Sequence, residues 1–339
     1  MRTGAAVGHS GYFHEAAFFG SDDELLDLVV PFVTGGIEAG EPTMVALDDR
    51  SADVVRTALG DATGVTYLPH ASQYARPALA IKRYRQMLER HVAAGAGQIR
   101  AVGSVPHPGL GAPWEAWARY EAAVHRALAD LPLWGMCPYD TRTAPEEVLA
   151  DVERLHPHLA TTKGDHVVNE RFADAQIVVA RRASSVSDPL EALPPAVELD
   201  DPAPAAARRA VRDLGRRSGL RTETVDDLVI AVSEAVANAL AHGRPPVALR
   251  AWAAPDRLVV AVRDRGRGPT DPLVGLMPVP ERIRGGLGLW IAHQVCSDVG
   301  LVVDDEGFTV RLTARDPAGA PAHAGPAAAA GTDDVVAPG

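Results

Sequence analysis

An acidic and an amide side chain stand one helical turn apart in the second half of the chain. Glu234 and Asn238 occupy positions i and i+4 of a helical pattern, so both side chains project from one face. The amide carbonyl suits Mg²⁺, because this ion takes only one or two oxygen ligands from a protein and the rest from phosphate and water. The carboxylate can orient or deprotonate an attacking hydroxyl group. A solvated helix face is the alternative for this pair taken alone.

An aspartate followed by two glycines comes next along the chain. Asp264 ends a β-like run, and Gly266 and Gly268 follow it at alternating positions. A carboxylate at a strand end can accept a hydrogen bond from an exocyclic amine such as that of adenine. The glycines let the backbone approach a ligand closely. A tight turn is the alternative for this motif taken alone.

A glycine-rich helix start completes the series. The run Gly285-Gly286-Leu287-Gly288 opens a helical pattern, where free N–H groups and the helix dipole favour phosphate. A flexible loop that closes onto a helix is the alternative for this run alone. The three motifs, in this order and with compatible local structure, predict a site for a nucleotide and its metal ion.

The elements that must position these motifs belong to a second domain, residues 197–313. The apolar spacing predicts a long helix at 222–242 for the first motif and paired strands at 247–253 and 257–262 before the second. A further helix is predicted at 286–297. Because strands and helices form separate runs, we predict an α+β domain with its helices on one face of a sheet.

This segment resembles the GHKL (Bergerat-fold) ATPase and kinase superfamily. Glu234 and Asn238 correspond to its N-box, the Asp264 motif to its G1 box, and the run at 285–288 to its G2 box. Within that superfamily, residues 231–243 resemble the RsbW-type anti-sigma-factor serine kinases. The resemblance implies an α+β Bergerat sandwich that binds ATP and Mg²⁺. The short stretch at 269–284 corresponds to an ATP lid, in which Arg282 and Arg284 are candidates for phosphate contact, with exposed charge as the alternative.

The resemblance also implies roles for the site residues. Asp264 would bind adenine, Asn238 would hold Mg²⁺, and Glu234 would be the general base. The γ-phosphoryl group of ATP would pass to a serine of an anti-anti-sigma (STAS) protein, and a sigma factor would be the other partner. Related kinases form dimers, which makes a homodimer one of the oligomeric states left open.

Two alternative functions share these motifs. A sensor histidine kinase needs a phosphoacceptor histidine on a helix before the ATP module, but the helix predicted at 205–218 contains none. His156 and His158 flank Pro157, which such a helix tolerates poorly. The other alternative is a non-catalytic ATP-binding module that sequesters a partner. The presence of Glu234 favours catalysis, because binding alone needs no base.

The first domain, predicted at residues 9–165, alternates short apolar runs with helical patterns, which predicts a mostly parallel sheet covered by helices. Scattered motifs, including those around His14 and at 136–140, resemble the MEDS sensory domain. That resemblance implies a RecA-like α/β fold and a small-molecule signal; recruitment of a protein is the alternative. The loop after the first strand lacks a P-loop, so we expect no nucleotide hydrolysis in this domain.

A candidate ligand site of the first domain comprises His14, Cys137, Tyr139 and Asp140. The last three are predicted at the carboxyl end of a strand, where α/β sheets bind ligands. His14 is placed near the same edge. The alternative is that Tyr139 and Asp140 only cap and pack the strand end, with Cys137 as a small buried apolar residue.

Net charge, cysteine spacing and hydropathy argue against several classes of binding site and cellular location. The 339 residues carry a formal net charge of −11, which argues against direct nucleic-acid binding. The two cysteines are far apart and lack ligand spacing, so we expect neither a disulfide framework nor a zinc site. We find no signal-peptide pattern or membrane span and predict a cytoplasmic protein. Residues 166–196 are predicted to be a linker region and 314–339 a disordered tail.

Overall fold

The first domain is built on a seven-stranded sheet. The computed structural model of the chain describes residues 9–173, 178, 187–277 and 287–316. The strands of the first sheet are β1 (Phe13–Phe19), β2 (Thr43–Ala46), β3 (Val65–Tyr67), β4 (Ile99–Gly103), β5 (Leu133–Asp140), β6 (His158–Ala160) and β7 (His166–Val168). They lie in the order β3-β2-β4-β5-β1-β6-β7, and all neighbours are parallel except β6 and β7.

Helices cover both faces of this sheet. They are α1 (Asp22–Glu38), α2 (Asp49–Leu59), the short α3 (His70–Gln73), α4 (Pro77–Ala93), α5 (Trp114–Ala127) and α6 (Glu146–Leu155). Apolar side chains of α1 and α2 form the core on one face, and those of α4, α5 and α6 form the core on the other. Ser21 caps the N-terminus of α1, since its hydroxyl accepts a hydrogen bond from the Glu24 backbone N–H at 3.2 Å.

Two boundaries differ from the sequence prediction. The apolar run at 133–137 predicts a strand that ends at Cys137, but strand β5 continues for three more residues, through Pro138 to Asp140. Pro138 cannot donate a ladder hydrogen bond, but its fixed backbone angle is compatible with an extended chain. Strand β7 lies inside the predicted linker region 166–196 and pairs antiparallel with β6, so the first sheet extends into that region.

The second domain is an antiparallel sheet with helices on one face. Its strands are β8 (Val197–Asp200), β9 (Ala248–Ala254), β10 (Arg257–Asp264), β11 (Asp298–Asp304) and β12 (Gly307–Ala314), in the order β11-β12-β10-β9-β8. Helices α7 (Pro204–Gly215), α8 (Thr222–His242) and α9 (Leu287–Val295) accompany it. Helix α8 packs between the other two helices and over β10 and β12. A mostly parallel sheet in one domain and an antiparallel α+β arrangement in the other are confirmed.

The two domains meet along α4 and α5. Leu273 and Leu276, which follow the predicted G1 box, are buried within the core of the first domain. The guanidinium of Arg119 on α5 donates to the Pro272 carbonyl at 2.9 Å and to the Val299 carbonyl at 3.4 Å. Arg126, in the last turn of the same helix, forms an exposed ion pair with Asp271 at 3.2 Å. The start of the predicted ATP lid is therefore attached to the first domain.

Candidate nucleotide site

A cavity of about 290 Å³ lies between α8 and the sheet of the second domain. Its volume is at the small end of the ~300–1,000 Å³ range of ligand pockets. Asn238, Asp264 and Gly268 all line it, although they come from a helix, a strand end and a loop. The first two motifs therefore converge on one space.

Asp264 is held in a fixed position at the end of β10. Its side chain is 5% exposed, and its Oδ1 atom accepts hydrogen bonds from the backbone N–H groups of Gly266 at 2.6 Å and Arg244 at 3.1 Å. Both bonds fall on one oxygen. The second oxygen, Oδ2, has no hydrogen bond among the described residues and remains able to accept one from a ligand.

The end of α8 is shaped around this carboxylate. A Cβ atom on Gly243, directly after the helix, would lie 2.4 Å from Cγ of Asp264. Any side chain at this position would displace the carboxylate. Gly243 is thus a residue of the candidate site that was not predicted as one, although it is the last residue of the RsbW-like run 231–243.

Glu234 and Asn238 meet the start of α9. A Cβ atom on Gly288 would lie 2.9 Å from Glu234 Oε2 and 3.0 Å from Asn238 Nδ2, so a side chain at position 288 would require these polar groups to shift. The first and third motifs are therefore in contact. Both polar side chains are partly exposed, and the beginning of a helix with free backbone N–H groups lies beside them.

The other predicted site residues are placed less centrally. Leu287 is 52% exposed, and the neighbouring Leu289 lines the cavity instead. Gly266 supports Asp264 from outside the cavity lining. Arg282, Arg284, Gly285 and Gly286 lie outside the described residues.

Apolar walls of the cavity were missed by the sequence analysis. Phe308 and Val310 on β12, together with Val262 on β10, enclose the side opposite α8. A Cβ atom on Gly268 would collide with the Phe308 ring at 2.5 Å. These residues read as ordinary core strand positions, and only the antiparallel pairing of β10 with β12 brings them to the site.

The candidate ligand site of the first domain is only partly assembled. His14, Cys137 and Tyr139 share one face of the sheet: Cys137 Sγ is 3.5 Å from His14 Nε2, and the Tyr139 hydroxyl donates to Glu121 Oε1 at 2.6 Å. Asp140 lies on the other face, because side chains alternate along β5, and its carboxylate forms an ion pair with Arg142 at 2.7 Å. The group lies within the sheet rather than at its carboxyl edge.

Burial dominates the electrostatics of this group. Burial raises the pKa of the Glu121 carboxyl to about 7, although the hydrogen bond from Tyr139 opposes the shift. His156 lies beside His14, with the two ring centroids 4.0 Å apart, and burial lowers its pKa to about 4. Burial also lowers the pKa of His14 well below its usual value. Both imidazoles are therefore uncharged at neutral pH.

Family comparisons agree with this two-part architecture. Residues 13–157 match the MEDS family, the methanogen/methylotroph, DcmR sensory domain, and residues 197–314 match the histidine kinase-like ATPase domain. Both resemblances seen in the sequence are confirmed. We refer to these two segments below as the MEDS segment and the ATPase-like segment.

Individual relatives match the ATPase-like segment. Two proteins named serine-protein kinase RsbW, from Bacillus cereus strains AH187 and Q1, are each 28% identical over 121 residues, which span 32% of this chain and 75% of the relative. The solved structure of the RsbU and RsbW domains of Rv1364c from Mycobacterium tuberculosis is 25% identical with a TM-score of 0.27, covering 36% of this chain and 32% of that one.

None of the helices in the described part of the chain combines the length and apolar character that a membrane span requires.

Proposed function

We propose that this protein is an ATP-dependent anti-sigma regulatory factor that phosphorylates a serine of an anti-anti-sigma (STAS) partner. The observation that carries the proposal is the convergence of Asn238 and Asp264 on one cavity, with Glu234 one helical turn away. The similarity of the ATPase-like segment to proteins named serine-protein kinase supports the same activity.

Each polar residue has a distinct task in this proposal. Oδ2 of Asp264 accepts a hydrogen bond from the adenine amine, while its Oδ1 is fixed by two backbone N–H groups. The apolar surfaces of Phe308 and Leu289 enclose the purine. Glu234 takes the proton of the serine hydroxyl as that oxygen attacks the γ-phosphorus and the bond to the β,γ-bridging oxygen breaks.

The donor set also fits a magnesium ion. Asn238 offers one neutral oxygen, and Gly288 keeps the adjoining space free of a side chain. Such a site suits Mg²⁺, which takes few protein ligands and retains phosphate oxygens and water. When bound, the ion neutralises phosphate charge, which is the main requirement of phosphoryl transfer.

Control by the first domain is a further part of the proposal. Residues 269–277, called the lid segment below, begin at the cavity wall with Pro269 and end against α5. Leu273 and Leu276 pack into the core of the first domain, and Arg119 binds the Pro272 carbonyl at 2.9 Å. A change in the position of α5 would therefore alter the lid segment and the closure of the nucleotide cavity.

The wider setting follows from the proposed activity. We infer a sigma factor as the second partner, a cytoplasmic location, a small-molecule signal received by the first domain, and a homodimer of the ATPase-like segment. We also propose the RecA-like class for the first domain, which its parallel sheet with helices on both faces supports. The division into 9–165, 166–196, 197–313 and 314–339 is retained as a proposal, with β7 belonging structurally to the first sheet.

Titration and labelling test the proposal. Isothermal titration of the full chain with ATP and Mg²⁺ is expected to give a saturable heat. Incubation with γ-labelled ATP and STAS proteins of the same genome is expected to place an acid-stable label on one of them. No heat with ATP would remove the nucleotide site. An acid-labile label on this chain would indicate a histidine kinase, and binding without transfer would indicate a sequestering module.

A further inference from the structure

Four polar side chains from four different elements converge inside the first domain. They are His14 on β1, Glu121 on α5, Cys137 on β5 and His156 directly after α6. One ligand-type atom from each lies within 4.8 Å of all the others. His14, Glu121 and His156 have no exposed surface, and Cys137 is 9% exposed. We call this set the His₂–Cys–Glu cluster.

Three buried polar atoms of the cluster lack a hydrogen-bond partner among the described residues. Nε2 of His156, Oε2 of Glu121 and Nδ1 of His14 have no partner in the described structure. The imidazole-to-carboxylate separations of 3.5 and 3.6 Å are too long for hydrogen bonds. Such groups are rare in folded proteins because each loses its hydration without replacement. A central ligand would account for the first two atoms, whereas Nδ1 of His14 is on the side of the ring away from the ligand atom Nε2.

The separations fit the edges of a coordination tetrahedron. Zinc bonds to nitrogen, oxygen and sulfur of about 2.0–2.3 Å give tetrahedral edges of about 3.3–3.8 Å between ligand atoms. His14 Nε2 lies 3.5 Å from Cys137 Sγ and 3.5 Å from Glu121 Oε2, which in turn lies 3.6 Å from His156 Nε2. The remaining pairs, up to 4.8 Å, need to close by about one ångström.

Neighbouring groups already orient two of the ligands. Nδ1 of His156 lies 2.8 Å from the Val152 carbonyl, which leaves Nε2 unprotonated and directed at the cluster. Oε1 of Glu121 accepts a hydrogen bond from the Tyr139 hydroxyl at 2.6 Å, which leaves Oε2 for a cation. Metal-binding histidines and carboxylates typically have such outer partners.

We propose that His14, Glu121, Cys137 and His156 bind one Zn²⁺ ion in a closed, four-ligand site. The thiolate and imidazole ligands favour a borderline or soft metal over Mg²⁺ or Ca²⁺, which prefer oxygen. Four protein ligands leave no open coordination position, so the ion stabilises structure rather than activating water. The full burial of the cluster also excludes an organic ligand of ordinary size at this point.

Zinc content of matched cysteine variants tests the proposal. The full chain, loaded with Zn²⁺ and freed of excess metal, is expected to retain about one ion per chain. Cys137→Ser is expected to bind at least about 10-fold more weakly, because the thiolate ligand is lost. Cys296→Ser, at the other buried free cysteine, is expected to retain the ion fully. X-ray absorption of the zinc-loaded protein should show one sulfur ligand.

A hydroxyl deletion provides a milder test that preserves the fold. Tyr139→Phe removes only the hydrogen bond to Glu121 and is expected to weaken zinc binding about 10–100-fold. Tyr84→Phe is the control, since its buried hydroxyl bonds to Tyr74 at 3.1 Å and does not touch the cluster. Equal zinc affinity in both variants, failure of the natural chain to retain zinc, or zinc without a sulfur ligand would overturn the proposal. These measurements are independent of nucleotide binding.

Discussion

The two polar clusters of this protein differ in how they meet the solvent. In the ATPase-like segment, Glu234 and Asn238 are partly exposed beside a cavity that a soluble ligand can enter. In the MEDS segment, Glu121 and its neighbours are sealed inside the core. An open cluster can exchange its ligand during turnover, whereas a sealed cluster can hold only a ligand that becomes part of the fold. Substitutions should therefore reduce activity at the first cluster and stability or metal content at the second.

The largest expected effect is on catalysis at the open cluster. Glu234→Ala is expected to lower phosphoryl transfer about 10²–10⁴-fold, because the proposed general base is lost, while ATP affinity and thermal stability stay close to those of the natural chain. Labelled transfer and calorimetry measure the two quantities. Glu223→Gln, at the exposed start of the same helix, is the control. Full transfer by Glu234→Ala would refute the assigned role.

The next effect is on nucleotide affinity. Asp264→Asn keeps one oxygen for the N–H groups of Arg244 and Gly266 but replaces Oδ2 with a donor. We expect about 10–100-fold weaker ATP binding, in line with the loss of a hydrogen bond to a charged group. Titration calorimetry measures this, and thermal melting checks the fold. If affinity is unchanged, adenine does not contact this carboxylate.

A smaller steric effect is expected at the contact between the first and third motifs. Gly288→Ala places a methyl group within 3.0 Å of Glu234 and Asn238. Overpacking of this kind costs about 1–3 kcal/mol, so ATP affinity or transfer should fall about 5–100-fold. Gly97→Ala is the matched control, because a Cβ atom there meets nothing within 4 Å. Equal behaviour of the two variants would mean that α9 moves away from α8 when the nucleotide binds.

The smallest effect tests communication between the domains. Arg119→Gln removes a buried donor to the Pro272 carbonyl and is expected to change ATP affinity about 5–10-fold. Arg126→Gln breaks only the exposed pair with Asp271 and should change it less than about 2-fold, as expected for a surface ion pair. Competition binding with a fluorescent ATP analogue resolves this difference. Identical effects of the two substitutions on ATP affinity would show that α5 does not control the lid segment.

Local motifs explain why the nucleotide site could be anticipated. Glu234 and Asn238 are four residues apart on one helix, and Asp264 precedes its glycines directly, so short-range geometry predicts their relation. Phe308 and Gly243 could not be selected in this way. The role of Phe308 depends on strand pairing, and that of Gly243 depends on how closely Asp264 approaches the end of α8.

The same reasoning reached only half of the His₂–Cys–Glu cluster, since His14 and Cys137 were candidate ligands but Glu121 and His156 were not. His14 and Cys137 are 123 residues apart, and the expectation of no zinc site was based on the absence of local cysteine spacing. Only the register that sets His14 beside Gly135 brings β1 and β5 together at this point. The position of Asp140 has a related cause, because the strand predicted at 133–137 continues through Pro138, and alternation then turns Asp140 away from Cys137 and Tyr139.

Helix α5 contacts both the lid segment and the His₂–Cys–Glu cluster. Arg119 and Glu121 are two residues apart and so project in nearly opposite directions, since each helical residue turns by about 100°. The Arg119 guanidinium donates a hydrogen bond to the Pro272 carbonyl, and the Glu121 carboxylate belongs to the buried cluster. A shift of α5 at one of these two contacts would therefore also change the other contact. Closure of the four ligands on a bound zinc ion would therefore shift Arg119 together with Glu121, and with it the lid segment at the Pro272 carbonyl.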